Sequence, residues 1–279
     1  MPDIVIHVIA SAAYVGLAWH FWSTRWRRPA TAGGEARATS GLHAWERAAI
    51  LAPLALHGWL LYAGIFAAGE LRFGFAQALS VMMWLGVALY WVESLFYSLD
   101  GMEPLVLPLA ALAAPLPAVF PGLASSAAHA QATEFRLHLA LAMIAYSLFV
   151  IALLHATLMA VAERQLHRKS GVVLSGLPPL LTLERLLFRV IGAAFVFLTL
   201  TLATGIAFSE TLFGRALRLD HKTVFAILSW AAFGWLLAGR WLYGWRGRTA
   251  LRWTLTGFAM LLFAYVGSRF VLEVVLERP

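Results

Sequence analysis

Residues 135–162 read FRLHLALAMIAYSLFVIALLHATLMAVA, and Arg136 is the only charged side chain in this run. A helix needs roughly 20 mostly apolar residues to cross a bilayer, so the segment is long enough to span one. Seven other apolar runs flank it, and they end at Arg, Gly, Pro or acidic clusters. The sequence therefore predicts eight membrane-spanning helices, at 3–22, 48–68, 76–99, 104–121, 135–162, 186–208, 221–243 and 250–275.

The composition of the chain is typical of an all-α, polytopic integral membrane protein. Of its 279 residues, 61% are hydrophobic and 13% are charged, which excludes an ordinary soluble globular domain. Because the spans leave little chain for an external domain, we expect a single transmembrane domain over residues 1–279. Prolines interrupt the span at 104–121, which predicts a helix that is kinked, short or partly re-entrant.

The basic residues are distributed unevenly between the two sides of this arrangement. One side carries 14 of the 21 Lys and Arg residues, at 25–47, 164–189 and 240–252, and the other side carries 7. Cytoplasmic loops are enriched in Lys and Arg, so we expect both termini outside and a multi-pass location in a bacterial inner membrane. The net charge of +7 is then a topology signal, and we expect no nucleic acid partner.

The residue types and motifs that are absent from the sequence narrow its function further. The chain has no Cys, which excludes disulfides and thiolate metal sites, so its nine His residues carry any soft-ligand chemistry. It has no Gly-rich phosphate loop, no His-Glu-x-x-His motif and no nucleophile elbow. We therefore expect no enzyme activity.

Of the nine His residues, four are the strongest candidates for a function, since polar side chains at membrane depth are costly and often functional. The span bounds place His57 and His155 at similar depth near the cytoplasmic side, and His138 and His221 near the external side. Two imidazoles at matched depth can ligate one haem iron from both faces of a porphyrin. The sequence thus predicts an outer haem site at His138 and His221 and an inner one at His57 and His155. The alternative is that each imidazole only hydrogen-bonds a neighbouring helix.

Two stretches of the sequence resemble a known family. The first contains LDHKT at 219–223, GWLLAGR at 234–240, GWRGR at 244–248 and FAYVG at 263–267, and the second is HLALAMIAYS at 138–147. Both are similar to the cytochrome c assembly protein family of haem-handling membrane proteins. Within this family the resemblance is closest to the small eight-span HemX-like and YpjD-like branch.

The resemblance implies roles for two of the histidines. His138 matches the family's external histidine on the fifth span, which is a proposed axial ligand to haem iron. His221 is our candidate for the second ligand, because residues 220–223 occupy the position of an acidic run in the haem-presenting members. The chain departs from those members in the loop at 209–220, which contains no Trp.

Together these observations predict an inner-membrane protein that binds haem b non-covalently and handles or transports haem. Its role would lie in cytochrome c assembly or in haem homeostasis, and its partners would be haem, the lipid bilayer and other membrane proteins of cytochrome assembly. One alternative is a small-cation transporter in which His57, His155 and Glu93 line a polar path. Another is an accessory membrane subunit or scaffold without haem.

Overall fold

The computed structural model describes residues 2–26, 41–66, 71–122, 132–167, 179–213 and 220–276. The helices in these ranges are α1 (Pro2–Phe21), α2 (Ala44–Ile65), α3 (Phe75–Phe96), α4 (Glu103–Ala113), α5 (Leu116–Val119), α6 (Thr133–His167), α7 (Leu180–Phe213), α8 (His221–Tyr243), α9 (Gly247–Leu262) and α10 (Ser268–Phe270). A π-helical turn at Trp22–Trp26 extends α1, and two more, at Phe263–Gly267 and Val271–Val275, flank α10.

Seven helical segments of the described chain are long and apolar enough to cross a membrane. They are Ile4–Trp26, Ala44–Ile65, Phe75–Phe96, Thr133–Arg164, Leu180–Phe208, His221–Tyr243 and Gly247–Val275. Large apolar side chains also lie on the outer surface of the bundle, where Phe96 is 74% exposed and Leu112 is 70% exposed. Lipid would cover such a surface, and the predicted fold class, an all-α polytopic membrane protein, is confirmed.

The predicted span at 104–121 forms two short helices, α4 and α5. Pro115 and Pro117 lie at the junction, and a proline inside a helix removes a hydrogen bond and clashes with the preceding turn. Just after α5, Phe120 O accepts a hydrogen bond of 3.1 Å from Gln77 Nε2 in the first turn of α3. The broken helix therefore ends beside the start of α3.

α4 runs antiparallel to α1 from one end of the bundle towards the other. Glu103 Oε1, at the start of α4, accepts a hydrogen bond of 3.3 Å from Arg25 Nη1, just beyond α1. Ala114 O, at the end of α4, accepts one of 2.7 Å from His7 Nδ1, near the start of α1. The 16 residue steps from Glu103 to Val119 rise about 24 Å, somewhat less than the thickness of the hydrocarbon core. α4 and α5 together thus supply an eighth, shorter pass.

Because the number of passes is even, α1 begins and the last described helix ends on the same side of the bundle. We call the end of the bundle where α1 ends and α2 begins the inner end, and the opposite end the outer end. The topology prediction requires this arrangement and assigns the inner end to the cytoplasm. That assignment stays a prediction, as does the single-domain organisation over 1–279.

The second half of the bundle is closely packed around aromatic and small residues. The rings of Phe149 on α6 and Phe233 on α8 stack with centroids 3.8 Å apart. Ser229 Oγ on α8 donates to Gly257 O on α9 at 2.8 Å, and a Cβ at Gly257 would lie 2.8 Å from Phe233 Cε2. Small residues and interhelical hydrogen bonds of this kind hold membrane helices together, where the hydrophobic effect supplies little attraction.

Candidate functional site

α6 places His138 in its second turn, against α7 at the outer end of the bundle. The ring is partly buried, and its Nδ1 lies 3.1 Å from Thr204 Oγ1. Thr204 Oγ1 donates its own hydrogen to Leu200 O at 2.8 Å, so it accepts a hydrogen from Nδ1. The lone pair of the neutral imidazole is then on Nε2. This is the nitrogen through which His138 would bind a metal.

Gly205 explains why the His138 ring fits so closely against α7. A Cβ at this position would lie 3.2 Å from His138 Cε1, which is tighter than an ordinary van der Waals contact. The absence of a side chain at Gly205 therefore sets the position of the ring, and Thr204 sets its tautomer.

His221 is the first residue of α8 and is exposed. Asp220 caps this helix, because its Oδ1 accepts hydrogen bonds of 3.0 Å from both the backbone N and the Oγ1 of Thr223. Burial opposes ionisation here, but the bonds from Thr223 and the nearby Lys222 hold the pKa of Asp220 below its ordinary value. A fixed carboxylate thus lies next to His221.

The described contacts place His138 and His221 at the same end of the bundle. α7 and α8 are antiparallel neighbours, and Trp230 Nε1 donates to Thr199 Oγ1 at 2.9 Å. Counted from Thr199, Thr204, which bonds His138, lies five residues nearer the outer end, about 7 Å along α7. Counted from Trp230, His221 lies nine residues nearer the outer end, about 13 Å along α8. His221 is therefore about one turn farther out than His138, and their joint ligation of haem stays a prediction.

His57 is fully buried among the first three helices. Its Nε2 is hydrogen-bonded to Ser80 Oγ in α3 at 2.8 Å, and its ring meets the ring of Tyr14 edge-on, with centroids 5.8 Å apart. His57 Nδ1 is buried and has no hydrogen-bond partner among the described residues. His57 is thus enclosed by the protein, and only one of its two ring nitrogens has a hydrogen-bond partner among the described residues.

His155 lies on α6 and is also fully buried. Its Nδ1 donates to Ile151 O one turn earlier at 2.9 Å. Its Nε2 lies 3.5 Å from Glu93 Oε2 on α3. The imidazole therefore faces a carboxyl group on a neighbouring helix.

The prediction that His57 and His155 form one inner pair is wrong, because they lie in different layers. Their partners Ser80 and Glu93 are 13 residues apart on α3, about 20 Å. α2 begins at Ala44 rather than at residue 48, so His57 lies farther from the inner end than the predicted span implied. A separate role for either imidazole in binding iron stays a prediction.

Sequence reasoning missed a cluster of charged residues at the inner end, which we call the Arg25 cluster. Arg25 Nη2 lies 2.7 Å from Glu46 Oε2, and Arg25 Nη1 contacts Asp100 Oδ1 and lies 3.3 Å from Glu103 Oε1. One feature of the sequence could have indicated this cluster. Three acidic residues lie next to predicted spans on the same side of the membrane as Arg25, which follows the first predicted span. Each acid alone resembled an ordinary residue at a helix end.

Comparison with known proteins places the chain in a family. The profile of the family described as Cytochrome C assembly protein matches residues 47–276, a range that contains all four candidate histidines. No solved structure matches the chain.

Three curated proteins illustrate the similarity. Inner membrane protein YpjD of Escherichia coli K12 is 35% identical over 148 residues, 53% of this chain and 56% of YpjD. A 28.8 kDa protein from the nifR3-like 5' region of Azospirillum brasilense is 36% identical over 141 residues, 50% of this chain and 52% of that protein. Cytochrome c biogenesis protein CcsA of Chlamydomonas reinhardtii is 31% identical over 91 residues, 33% of this chain and 26% of CcsA.

The chain spans about half the length of the first two of these relatives. The similarity to an inner membrane protein agrees with the apolar spans of the bundle, so this is a multi-pass inner-membrane protein. The resemblance to the YpjD-like branch is confirmed as well. Since the family profile covers most of its length, the chain belongs to the cytochrome c assembly protein family.

Proposed function

We propose that this protein binds haem b non-covalently at the outer end of the bundle, with His138 as an axial ligand. We propose further that it handles or transports haem in cytochrome c assembly or haem homeostasis. Membership of the cytochrome c assembly family supports the process, and CcsA, one of the similar proteins, is named for cytochrome c biogenesis. The observation that carries the proposal is the orientation of His138 by Thr204.

His138 has the properties that an axial ligand needs. Thr204 accepts the Nδ1 hydrogen, which leaves the Nε2 lone pair for iron, and Gly205 lets the ring rest against α7. A second partner that holds the other ring nitrogen raises the basicity of a ligating imidazole and fixes its plane. Haem bound here would supply a redox-active iron, while the chain supplies a neutral, pre-oriented imidazole.

His221 is the residue that we propose for the opposite face of the haem. Its ring is exposed at the start of α8, so a ligand reaches it from the outer side without opening the bundle. The carboxylate of Asp220 is held in place by Thr223, and a negative charge there favours the positive charge of ferric haem. As haem ligands, His57 and His155 would act at separate sites. Iron would replace Ser80 as the partner of His57, and it would replace Glu93 as the partner of His155.

The test is the absorption spectrum of the protein purified from haem-sufficient cells. We expect a low-spin Soret band with sharp alpha and beta bands in the wild type. His138→Ala should lower haem occupancy several-fold or shift the iron to high spin, because a strong-field imidazole is lost. His43→Ala is the matched control, since His43 is an exposed histidine at the inner end. An unchanged low-spin spectrum in the His138→Ala, His221→Ala double variant would reject the proposed site.

A further inference from the structure

A cavity lies between α6 and α9 at the inner end of the bundle. Its volume is about 310 Å³, and it is lined by Ala160, Glu163, Arg164, Arg248, Leu251 and Arg252. Three of these residues are arginines and one is a glutamate, so the lining has a formal net charge of +2. Cavities that hold small molecules start at about this size, and the charge of this one favours an anion.

The positive charges of the cavity are only partly compensated by the protein itself. Arg248 and Arg252 are four residues apart on α9, so they lie on one face of the helix, and like charges at this spacing repel each other. Glu163 Oε1 on α6 lies 3.9 Å from Arg248 Nε and offsets one charge. Arg164 and Arg252 have no ion-pair partner among the described residues. An anion bound between these two arginines would relieve the repulsion.

The cavity lies at the level where the membrane meets water. α9 begins at Gly247, and Arg252 lies five residues later, about 7.5 Å along the helix. The rings of Trp245 and Trp253 stack at the same end of α9, with centroids 6.1 Å apart, and Trp is enriched at membrane interfaces. Helix side chains lean towards the N-terminus, which in α9 is the inner end. The guanidinium groups therefore extend towards the phospholipid headgroups.

Apolar surface continues from the cavity towards the middle of the membrane. Leu251 forms part of the cavity wall, and Leu255, four residues farther along the same face of α9, is 47% exposed. Ala259, another four residues along, is exposed as well. The acyl chains of a lipid whose phosphate lies among the arginines would pack against these side chains. A soluble phosphate has no apolar part to bury there, so the arrangement favours a lipid as the source of the anion.

We propose that the cavity between α6 and α9 binds the phosphate group of an anionic phospholipid from the leaflet at the inner end. Arg164 and Arg252 donate to the phosphate oxygens, since the planar guanidinium fork matches the geometry of a phosphate. Arg248, which Glu163 holds in place, adds to the positive potential. The bound lipid joins the end of α6 to the start of α9. The site is independent of haem and does not rest on the proposed function.

Native mass spectrometry of the full chain, freed of lipid in detergent, tests the proposal. The probes are phosphatidylglycerol, phosphatidylcholine, which has the same phosphate but no net charge, and soluble glycerol phosphate. We expect one phosphatidylglycerol to bind more tightly than phosphatidylcholine, and we expect glycerol phosphate not to displace it. Arg252→Gln should weaken the binding of phosphatidylglycerol roughly fivefold, the effect of one basic side chain at a membrane surface. Arg185→Gln is the matched control, because Arg185 is an exposed arginine on α7 at the same end but outside the cavity.

Glu163→Gln provides a second variant whose expected effect has the opposite sign. It removes the negative charge from the cavity, so the affinity for phosphatidylglycerol should rise, whereas general damage to the fold would lower it. Equal binding of phosphatidylglycerol by the wild type, Arg252→Gln and Glu163→Gln would overturn the proposal. Binding of phosphatidylcholine as tight as that of phosphatidylglycerol would reject an anionic lipid. Displacement by glycerol phosphate would identify a soluble phosphate as the ligand and overturn the assignment to lipid.

Discussion

Nη2 of Arg25 lies 2.7 Å from Oε2 of Glu46, and this ion pair joins the end of α1 to the start of α2. The two side chains are 14% and 4% exposed. The same guanidinium contacts Asp100 and Glu103, which adds α4 to the junction. One cation thus faces three carboxyl groups at the inner end. A buried pair adds little net stability, but removing one partner leaves uncompensated charge.

Arg25→Gln should therefore lower the free energy of unfolding by about 3 kcal/mol. The substitution leaves Glu46, Asp100 and Glu103 close together without a cation, while the side-chain volume changes little. The measurement is unfolding in mixed detergent micelles, followed by loss of helical circular dichroism. Arg185→Gln is the control, because Arg185 is an exposed arginine on α7. Equal stability of the two variants would show that the Arg25 cluster does not hold the helices together.

The hydrogen bond between His57 and Ser80 should contribute mainly by avoiding an unsatisfied buried group. Ser80→Ala leaves His57 Nε2 without its partner at 2.8 Å and should destabilise the protein by about 1 to 3 kcal/mol. His57→Leu with Ser80→Ala removes both polar groups and should cost less than the sum of the two single changes. The same unfolding assay measures all three variants. Strictly additive effects would mean that the two side chains do not interact.

The helices could be predicted from the sequence because each apolar run must satisfy its own backbone hydrogen bonds in lipid. The run at 135–162 appears within α6, and the prolines of 104–121 predicted the break between α4 and α5. The exact ends could not be predicted, since helices continue past the apolar core. α2 starts four residues before its predicted bound, at Ala44.

The contacts at the candidate site depend on which helices are neighbours, and apolar periodicity does not contain that information. His57 meets Ser80, and His155 meets Glu93, although helix rise alone had placed the two imidazoles at one depth. The position of His138 at the outer end was predictable because it begins a span and carries a family motif. Its orientation by Thr204 was not, because Thr204 lies on another helix.

The excess of Lys and Arg at the inner end predicts that this end faces the cytoplasm. Alkaline phosphatase, which is active only outside the cytoplasm, should be active when fused after Pro279 and inactive when inserted between α6 and α7. A green fluorescent protein reporter should give the opposite pattern at the same two positions. The reverse result with both reporters would invert the topology and move His138 to the cytoplasmic side.

Asp220→Ala should lower the free energy of unfolding by about 1 kcal/mol through loss of the helix cap of α8. Asp220→Asn keeps an acceptor for the Thr223 backbone N and should retain most of that stability. The pKa of Asp220 is below its ordinary value, so its contribution is present above the unfolded pKa and is lost as the pH falls through the folded one. The difference between wild type and Asp220→Ala should therefore shrink below about pH 4. A difference that does not change with pH would contradict a role for the ionised carboxylate.

Gly205 offers a way to displace His138 without changing the histidine itself. A Cβ at residue 205 would lie 3.2 Å from His138 Cε1, so Gly205→Val should push the ring away from α7 and weaken its hydrogen bond to Thr204. If His138 is an axial ligand, haem occupancy in the purified variant should fall several-fold, since a tilted imidazole no longer presents Nε2 in a fixed direction. Gly192→Val is the matched control, because Gly192 lies on the same helix and a Cβ there meets no atom within 4 Å. Haem occupancy and spin state should be normal in the Gly192 variant. Full low-spin haem in Gly205→Val would mean that the position of the His138 ring does not matter for haem, which counts directly against the proposed ligand.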